Sequence, residues 1–283
     1  MAPERIARLR PAERKSISQL LRLYWAFARV GFVNTLAFRL RYYTGIVTYF
    51  IYVSVYYFIW KAIYEHSTAI EGFDFGHLLT YIGVGWIIRS FYFNNIDQEL
   101  AYLVIEGRLA MDLIKPVNIQ LMYMARAAGE SIFRLALLTV PTAVVLFWVY
   151  PLRLPASAAR AGVFLVSVVM SFLIVAAINF AVGTFALRLQ SILGLMRAKF
   201  FLLELFSGLL LPMTFFPQSM QKVLALLPFE YISYVPMLIY LGKLDAVGIA
   251  RAIGIQILWI AILLAIGDGL WRWSSKKVII QGG

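Results

Sequence analysis

Between Arg160 and Arg188 the chain runs for 27 residues without a single charge. A bilayer core of about 30 Å takes about 20 helical residues, so this run is long enough to cross one. Other uncharged or nearly uncharged runs of the same scale precede and follow it. The composition agrees: 62% of the 283 residues are hydrophobic and 14% charged, against about 25% charged in an ordinary soluble domain, and the mean hydropathy is +0.80. Disorder, collagen, a disulfide scaffold and an ordinary cytosolic enzyme are excluded, and the chain reads as an all-α polytopic membrane protein. It contains no cysteine, which excludes thiol catalysis, iron–sulfur clusters and Cys-ligated zinc. Only His66 and His77 remain as imidazole ligands, so no metal site is expected.

Six spans are predicted. The first is Tyr42 to Trp60, bounded by Arg41 and Lys61; the second covers about Phe75 to Ile96 and contains Arg89. The third lies near Ser131 to Tyr150, with a kink expected at Pro141. The fourth is Ala161 to Leu187, the fifth about Phe200 to Phe216 with Glu204 inside it, and the sixth about Val247 to Trp271 with Asp268 near its end.

The net charge of +12 is an orientation signal rather than a nucleic-acid footprint. Nine of the 26 basic residues fall in the first 41 positions, and the segments that six spans would leave on the same side bring the total to 18. By the positive-inside rule both termini are cytoplasmic. Residues 1–15 form a basic N-terminus, 42–273 the six-span domain and 274–283 a cytoplasmic tail. Residues 16–41 read as an interfacial helix along the inner leaflet, opened by a Ser16/Gln19 capping box; a cytoplasmic helix packed on another domain is the alternative.

Two further segments are more than spans. In the largest inner loop, Glu106, Gly107, Arg108, Leu109, Asp112, Leu113, Lys115 and Pro116 carry a charge density that a span cannot hold cheaply. A short amphipathic helix with Leu109, Leu113 and Ile114 facing a partner fits, as does a solvated connector. From Leu209 to Gly242, four prolines (Pro212, Pro217, Pro228, Pro236) interrupt an apolar stretch that also holds Phe216, Phe229, Glu230 and Tyr231. That stretch is too apolar for a free loop and too broken for one helix, so two short helices dipping into the outer leaflet are expected, under protein or cavity cover. A structural outer cap is the alternative.

Polar groups inside spans are functional candidates. Arg89, with Asn94 and Asn95, reads either as lining an aqueous path or as snorkelling to the inner headgroups, the latter preferred. Glu130 with Arg134 and Asp268 with Arg272 stand at i, i+4 and read as pairs. Glu204 is within reach of Arg197 or Lys199, and a dimer-interface or cavity role is the other option. Tyr49, Tyr52 and Tyr56 share a face of the first span and suit a cationic or aromatic solute, with packing and an interfacial aromatic belt as the plainer reading.

The stretch Gly107-Arg108-Leu109 through Leu113-Ile114-Lys115-Pro116-Val117-Asn118 is similar to a "G-x-L … L-x-[KR]-P-x-N" inner-loop pattern. Leu-Pro at 211–212, Phe-Phe-Pro at 215–217, Leu-Pro-Phe at 227–229 and Tyr-x-x-Tyr-x-Pro at 231–236 resemble an outer re-entrant signature. Both belong to permease subunits of the ABC-2-type superfamily of ATP-binding cassette transporters, and within it to the six-span bacterial branch described as multidrug or antibiotic exporters. The resemblance implies that 16–41 is the elbow helix, that about 106–118 is the coupling helix docking on a nucleotide-binding subunit, and that about 217–235 closes the exit. It also implies two ATPase subunits, a second permease, identical or homologous, and a place in the bacterial cytoplasmic membrane. The chain has no G-x-x-x-x-G-K-[ST] phosphate loop, so ATP and Mg are expected in the partner ATPase, with no cofactor bound and no catalytic residue here. A non-transporting anchor for a cytosolic ATPase and an intramembrane lipid-modifying enzyme are the alternatives; the spans offer the latter no catalytic His, no Cys and no close carboxylate pair.

Overall fold

A computed structural model describes residues 16–36, 40–189 and 191–276. The basic 1–15 terminus, the end of the elbow segment at 37–39 and the tail beyond 276 lie outside the described residues. Among those described, the fold is all-α, without a strand.

The N-terminal helix α1 (Ile17–Leu36) starts where the capping box places it, with the Ser16 amide donating to Gln19 Oε1 at 2.9 Å. Next come α2 (Leu40–Tyr64) and α3 (Phe75–Tyr92), the latter capped by Asp74, whose side chain accepts from the His77 amide. The chain breaks at Phe93–Asn95 before α4 (Ile96–Ile105), and a single turn, α5 (Ala110–Leu113), sits in the loop that follows. Then α6 (Ile119–Arg134), capped by Asn118, runs through a π turn at Leu135–Thr139 into α7 (Val140–Val149). Pro141 has no amide to give the preceding turn, and the structure meets this with the wider turn just before it.

The longest uncharged run becomes α8 (Ala158–Thr184), finished by a 3₁₀ turn to Leu187. Helix α9 spans Leu193–Phe206, and the broken outer stretch folds as α10 (Gln218–Leu224) and α11 (Tyr234–Tyr240) with 3₁₀ turns at 213–215 and 229–231. The last helix, α12 (Ala246–Ser275), is capped by Asp245. Among the described residues, four stretches are long and apolar enough to cross a membrane: Tyr42–Tyr64, Ile119–Val149, Ala158–Leu187 and Ala246–Ser275.

The fifth predicted span needs correction. Its helix is the 14-residue α9, not Phe200 to Phe216, and it ends at Phe206. Gly208 takes φ +81°, the Tyr81 hydroxyl donates to its carbonyl, and a Cβ there would stand 2.7 Å from Tyr234 Cβ. A left-handed residue wedged between two tyrosines stops the helix. The second predicted span likewise stops early, at Tyr92 rather than Ile96.

Helices α3, α6 and α8 hold the core, including Tyr81, Met122, Tyr123, Ile174, Ala176 and Phe180. Helix α1 lies against α6 so tightly that a Cβ on Gly129 would stand 1.8 Å from the Ala28 carbonyl oxygen, and one on Gly31 2.1 Å from that of Arg126. Elsewhere α1 exposes Ile17, Leu21, Trp25 and Val33. In α12 the buried Gln256 accepts from the Ser167 hydroxyl and donates to the Ser167 and Tyr231 carbonyls, joining α12 to α8 and the outer segment. An amide so placed has its hydrogen bonds satisfied without water.

Candidate functional site

A cleft of about 930 Å³ opens between α2, α3, α4, α6 and α9, with Asn34 and Thr35 at the end of α1 also lining it. Five of the seven path candidates line it: Tyr49, Tyr52, Arg89, Asn95 and Glu204. Tyr52 stacks on Trp86 with ring centres 4.6 Å apart, and the Tyr49 hydroxyl accepts from Arg89 Nη1 at 3.1 Å. Asn94 is not in the cleft wall. It is buried, and its backbone and side-chain oxygens both accept from Asn179 of α8, at 2.7 and 2.9 Å. Tyr56 is half-buried outside the lining.

Arg89 does not snorkel. Its guanidinium grips Glu204 Oε1 through Nε at 2.6 Å and through Nη2, with side-chain exposures of 12% and 15% for the pair. The Trp86, Phe93 and Phe200 rings stand 4.9–5.8 Å from it. Two charges withdrawn from water require a partner and hydrogen bonds to persist, and α3 and α9 supply both. Glu204 therefore pairs with neither Arg197 nor Lys199. Lys199 Nζ instead donates to Asp97 Oδ2 and Asn179 Oδ1, each at 2.7 Å. The Asp268–Arg272 pair forms as its spacing predicts, at 2.8 Å.

The 106–118 loop is built around an inward-facing carboxylate. Asp112, 5% exposed, accepts from Lys115 Nζ and from the Tyr123 hydroxyl at 2.5 Å, with Arg126 Nη2 at 3.8 Å. Burial opposes its charge, but the Lys115 and Tyr123 hydrogen bonds and the Arg126 charge outweigh it and hold the carboxyl below the usual carboxylate range. Leu109 also turns inward, 3% exposed, against the expectation that it faces a partner. A four-residue turn cannot bury one clean stripe, so the outward surface is set by the brace: Met111, Leu113 and Ile114 are exposed, with Ile105 beside them. Gly107 takes φ +69°, the Glu106–Arg108 pair lies in the open at 2.9 Å, and Pro116 is exposed.

At the other end, Pro212, Pro228, Tyr231 and Pro236 are buried, Phe216, Phe229 and Glu230 half-buried, and Pro217 exposed. Phe215 of the same segment packs on Trp60 and Phe73, and Phe216 and Phe229 both pack on Phe206. Asp74, His77 and Arg153 cluster nearby. Burial raises the Asp74 carboxyl pKa, but hydrogen bonds from His77 and the His77 and Arg153 charges lower it more, leaving it below its ordinary value.

Sequence reasoning missed Asp97, Asn179, Gln256 and the Tyr123–Arg126 brace. Gln256, a lone amide amid the sixth span, carried a readable signal.

A family model described as "ABC-2 family transporter protein" matches residues 50–282. The chain belongs to the ABC-2 transporter family. As an ABC-2 permease it is a multi-pass membrane subunit of an ABC transporter, not itself catalytic, and the ATPase is a separate partner chain. Comparisons with curated proteins and with solved structures return no match.

Proposed function

We propose that this permease is the membrane-spanning half of an ATP-driven exporter in a bacterial cytoplasmic membrane, with six spans and both termini inside. The four long apolar stretches are joined in this reading by α3 and α9. At 1.5 Å per residue, 18-residue α3 reaches about 27 Å and 14-residue α9 about 21 Å. Residues 207–216 complete the fifth crossing as irregular backbone under protein cover, which a membrane tolerates. The inward bias of 18 of the 26 basic residues supports the orientation.

The observation that carries the mechanism is the braced loop. A coupling element must transmit force without deforming, and the Asp112 contacts with Lys115, Tyr123 and Arg126 tie the α5 turn to α6 while Met111, Leu113 and Ile114 stand outward. Two partner ATPase subunits, which hold the ATP and Mg, dock on this apolar knob of two paired permeases, identical or homologous. ATP-driven closure moves α5 and tilts the spans from inward- to outward-open. The solute enters the cleft at Tyr49, Tyr52, Arg89, Asn95 and Glu204, and the 217–235 segment gates release. Export follows from the likeness to the exporter branch.

Replacing both Leu113 and Ile114 with Asp should abolish copurification of the ATPase at unchanged membrane insertion. Undiminished ATPase recovery would sink the docking assignment.

A further inference from the structure

Every described helix of ten residues or more buries at least one residue, except α9, which buries none. Its apolar contact with the core is only partial, through Leu203 and through Phe206 on Phe216 and Phe229, so polar contacts share in fixing its seat. Two polar anchors do so. Lys199 Nζ donates to Asp97 Oδ2 and Asn179 Oδ1, and Glu204, five residues on, receives Arg89.

The anchors lead to different places. Arg89 belongs to the last turn of α3. Asp97 stands in the first turn of α4, whose far end carries the α5 loop. Helix α4 is seated directly on α8: a Cβ at Gly183 would stand 2.8 Å from both Asp97 Cα and Leu100 Cδ1. Asn179 of α8, which receives Lys199, also donates to Asn94 at the α3–α4 break. Packed together, α4 and α8 carry both groups that Lys199 holds, so a shift of the α4–α5 arm with α8 displaces them relative to α9.

Close-packed apolar seats are costly to leave because a cavity opens behind the departing side chain. The Arg89–Glu204 pair borders the open cleft, where an ion pair can be exchanged for water or another partner without opening a cavity. We propose that α9 is a movable helix latched by these two pairs, and that Lys199 is the positioning residue through which the α4–α5 arm reaches it. The proposal rests on the permease reading for what drives the arm, whereas the latch belongs to this chain alone.

The absence of native cysteine makes the test background-free. In the full chain in lipid nanodiscs, spin labels at Val169→Cys on α8 and Phe201→Cys on α9 report the seat, and labels at Val169→Cys and Ile257→Cys on α12 serve as control. All three positions are exposed. Because Asp97→Asn alone strands a buried cation and can fail to fold, the test variant is Asp97→Asn with Lys199→Met, which removes both charges. The α8–α9 distance should shift or broaden by about 5 Å, the scale of one helical turn, while the control pair holds and Lys199→Arg retains the original distance. An unchanged α8–α9 distance, or equal broadening of the control pair, would overturn the latch. With no ATPase in the measurement, failure here leaves the docking assignment standing, and failed docking leaves the latch standing.

Discussion

Helices α8 and α9 follow one another in the chain, are both rich in apolar residues, and are held in place by different means. In α8, 13 of 27 residues are buried, including Gly183, which lets α4 approach closely. In α9 none of 14 is buried, and two ion pairs tie it to α3 and α4 beside its partial apolar contacts. Hydropathy marks both as membrane material without distinguishing a keel from a moving part. The distinction lies in what each helix gives its neighbours, shape from α8 and charge from α9.

The largest effect should come from breaking the ionic side of that contrast. Arg89→Met strands Glu204 in an apolar, aromatic surround and should cost about 3–5 kcal/mol, read as a fall in the melting midpoint in detergent. Arg89→Met with Glu204→Met should recover most of it. A single variant as stable as the parent would mean that α9 is seated by something other than charge.

The packed side is probed next. Gly129→Val drives a side chain into the Ala28 carbonyl at the α1–α6 crossing, where backbone cannot move aside as a side chain can. Overpacking of this kind costs about 1–3 kcal/mol, and an unperturbed melt would show that α1 is not fixed to α6. Gln256→Leu removes the amide hydrogen bonds to the Ser167 and Tyr231 carbonyls, to each of which the Ser171 hydroxyl also donates, for a loss of about 1–2 kcal/mol. It should leave the Val169–Phe201 label distance alone, since its contacts lie between α12, α8 and Tyr231 and none reaches α9.

The smallest effect concerns acidity. The folded-state pKa of Asp112 is depressed, so its brace is at full strength above the free carboxylate value near ~3.9. It is lost only as pH falls through the lower folded-state value. A spin label at Ile114→Cys should therefore keep the same mobility from pH 7 to pH 5, whereas Asp112→Asn should loosen it at every pH in that range. Loosening of the parent loop above pH 5 would contradict the brace.

Much of the framework is legible from charge-free runs alone. Four of the predicted spans sit on the four long apolar stretches, the Ser16/Gln19 cap opens α1, and the proline-broken stretch folds as short helices. The errors share a physical cause. The end of the fifth helix is set by Gly208, held between Tyr81 and Tyr234 more than 20 positions away in either direction. The role of Arg89 is set by Glu204, 115 positions distant. Leu109 and Asp112 turn inward because Tyr123 and Arg126 of the next helix draw the loop down. Local pattern predicts helices, whereas which polar side chain finds which partner is a property of the packed chain. The cleft is intermediate: Tyr49, Tyr52, Arg89, Asn95 and Glu204 were visible one by one as oddities within spans, but not as one wall.

The central claim is that ATP bound elsewhere moves this chain through the α5 knob. It is tested most directly by labelling Val169→Cys and Phe201→Cys in the permease copurified with its ATPase, and recording their distance with and without ATP. An ATP-dependent change that disappears when Leu113 and Ile114 are both replaced by Asp is the predicted result. A distance indifferent to ATP, or an ATP response that survives the loss of the knob, would contradict it.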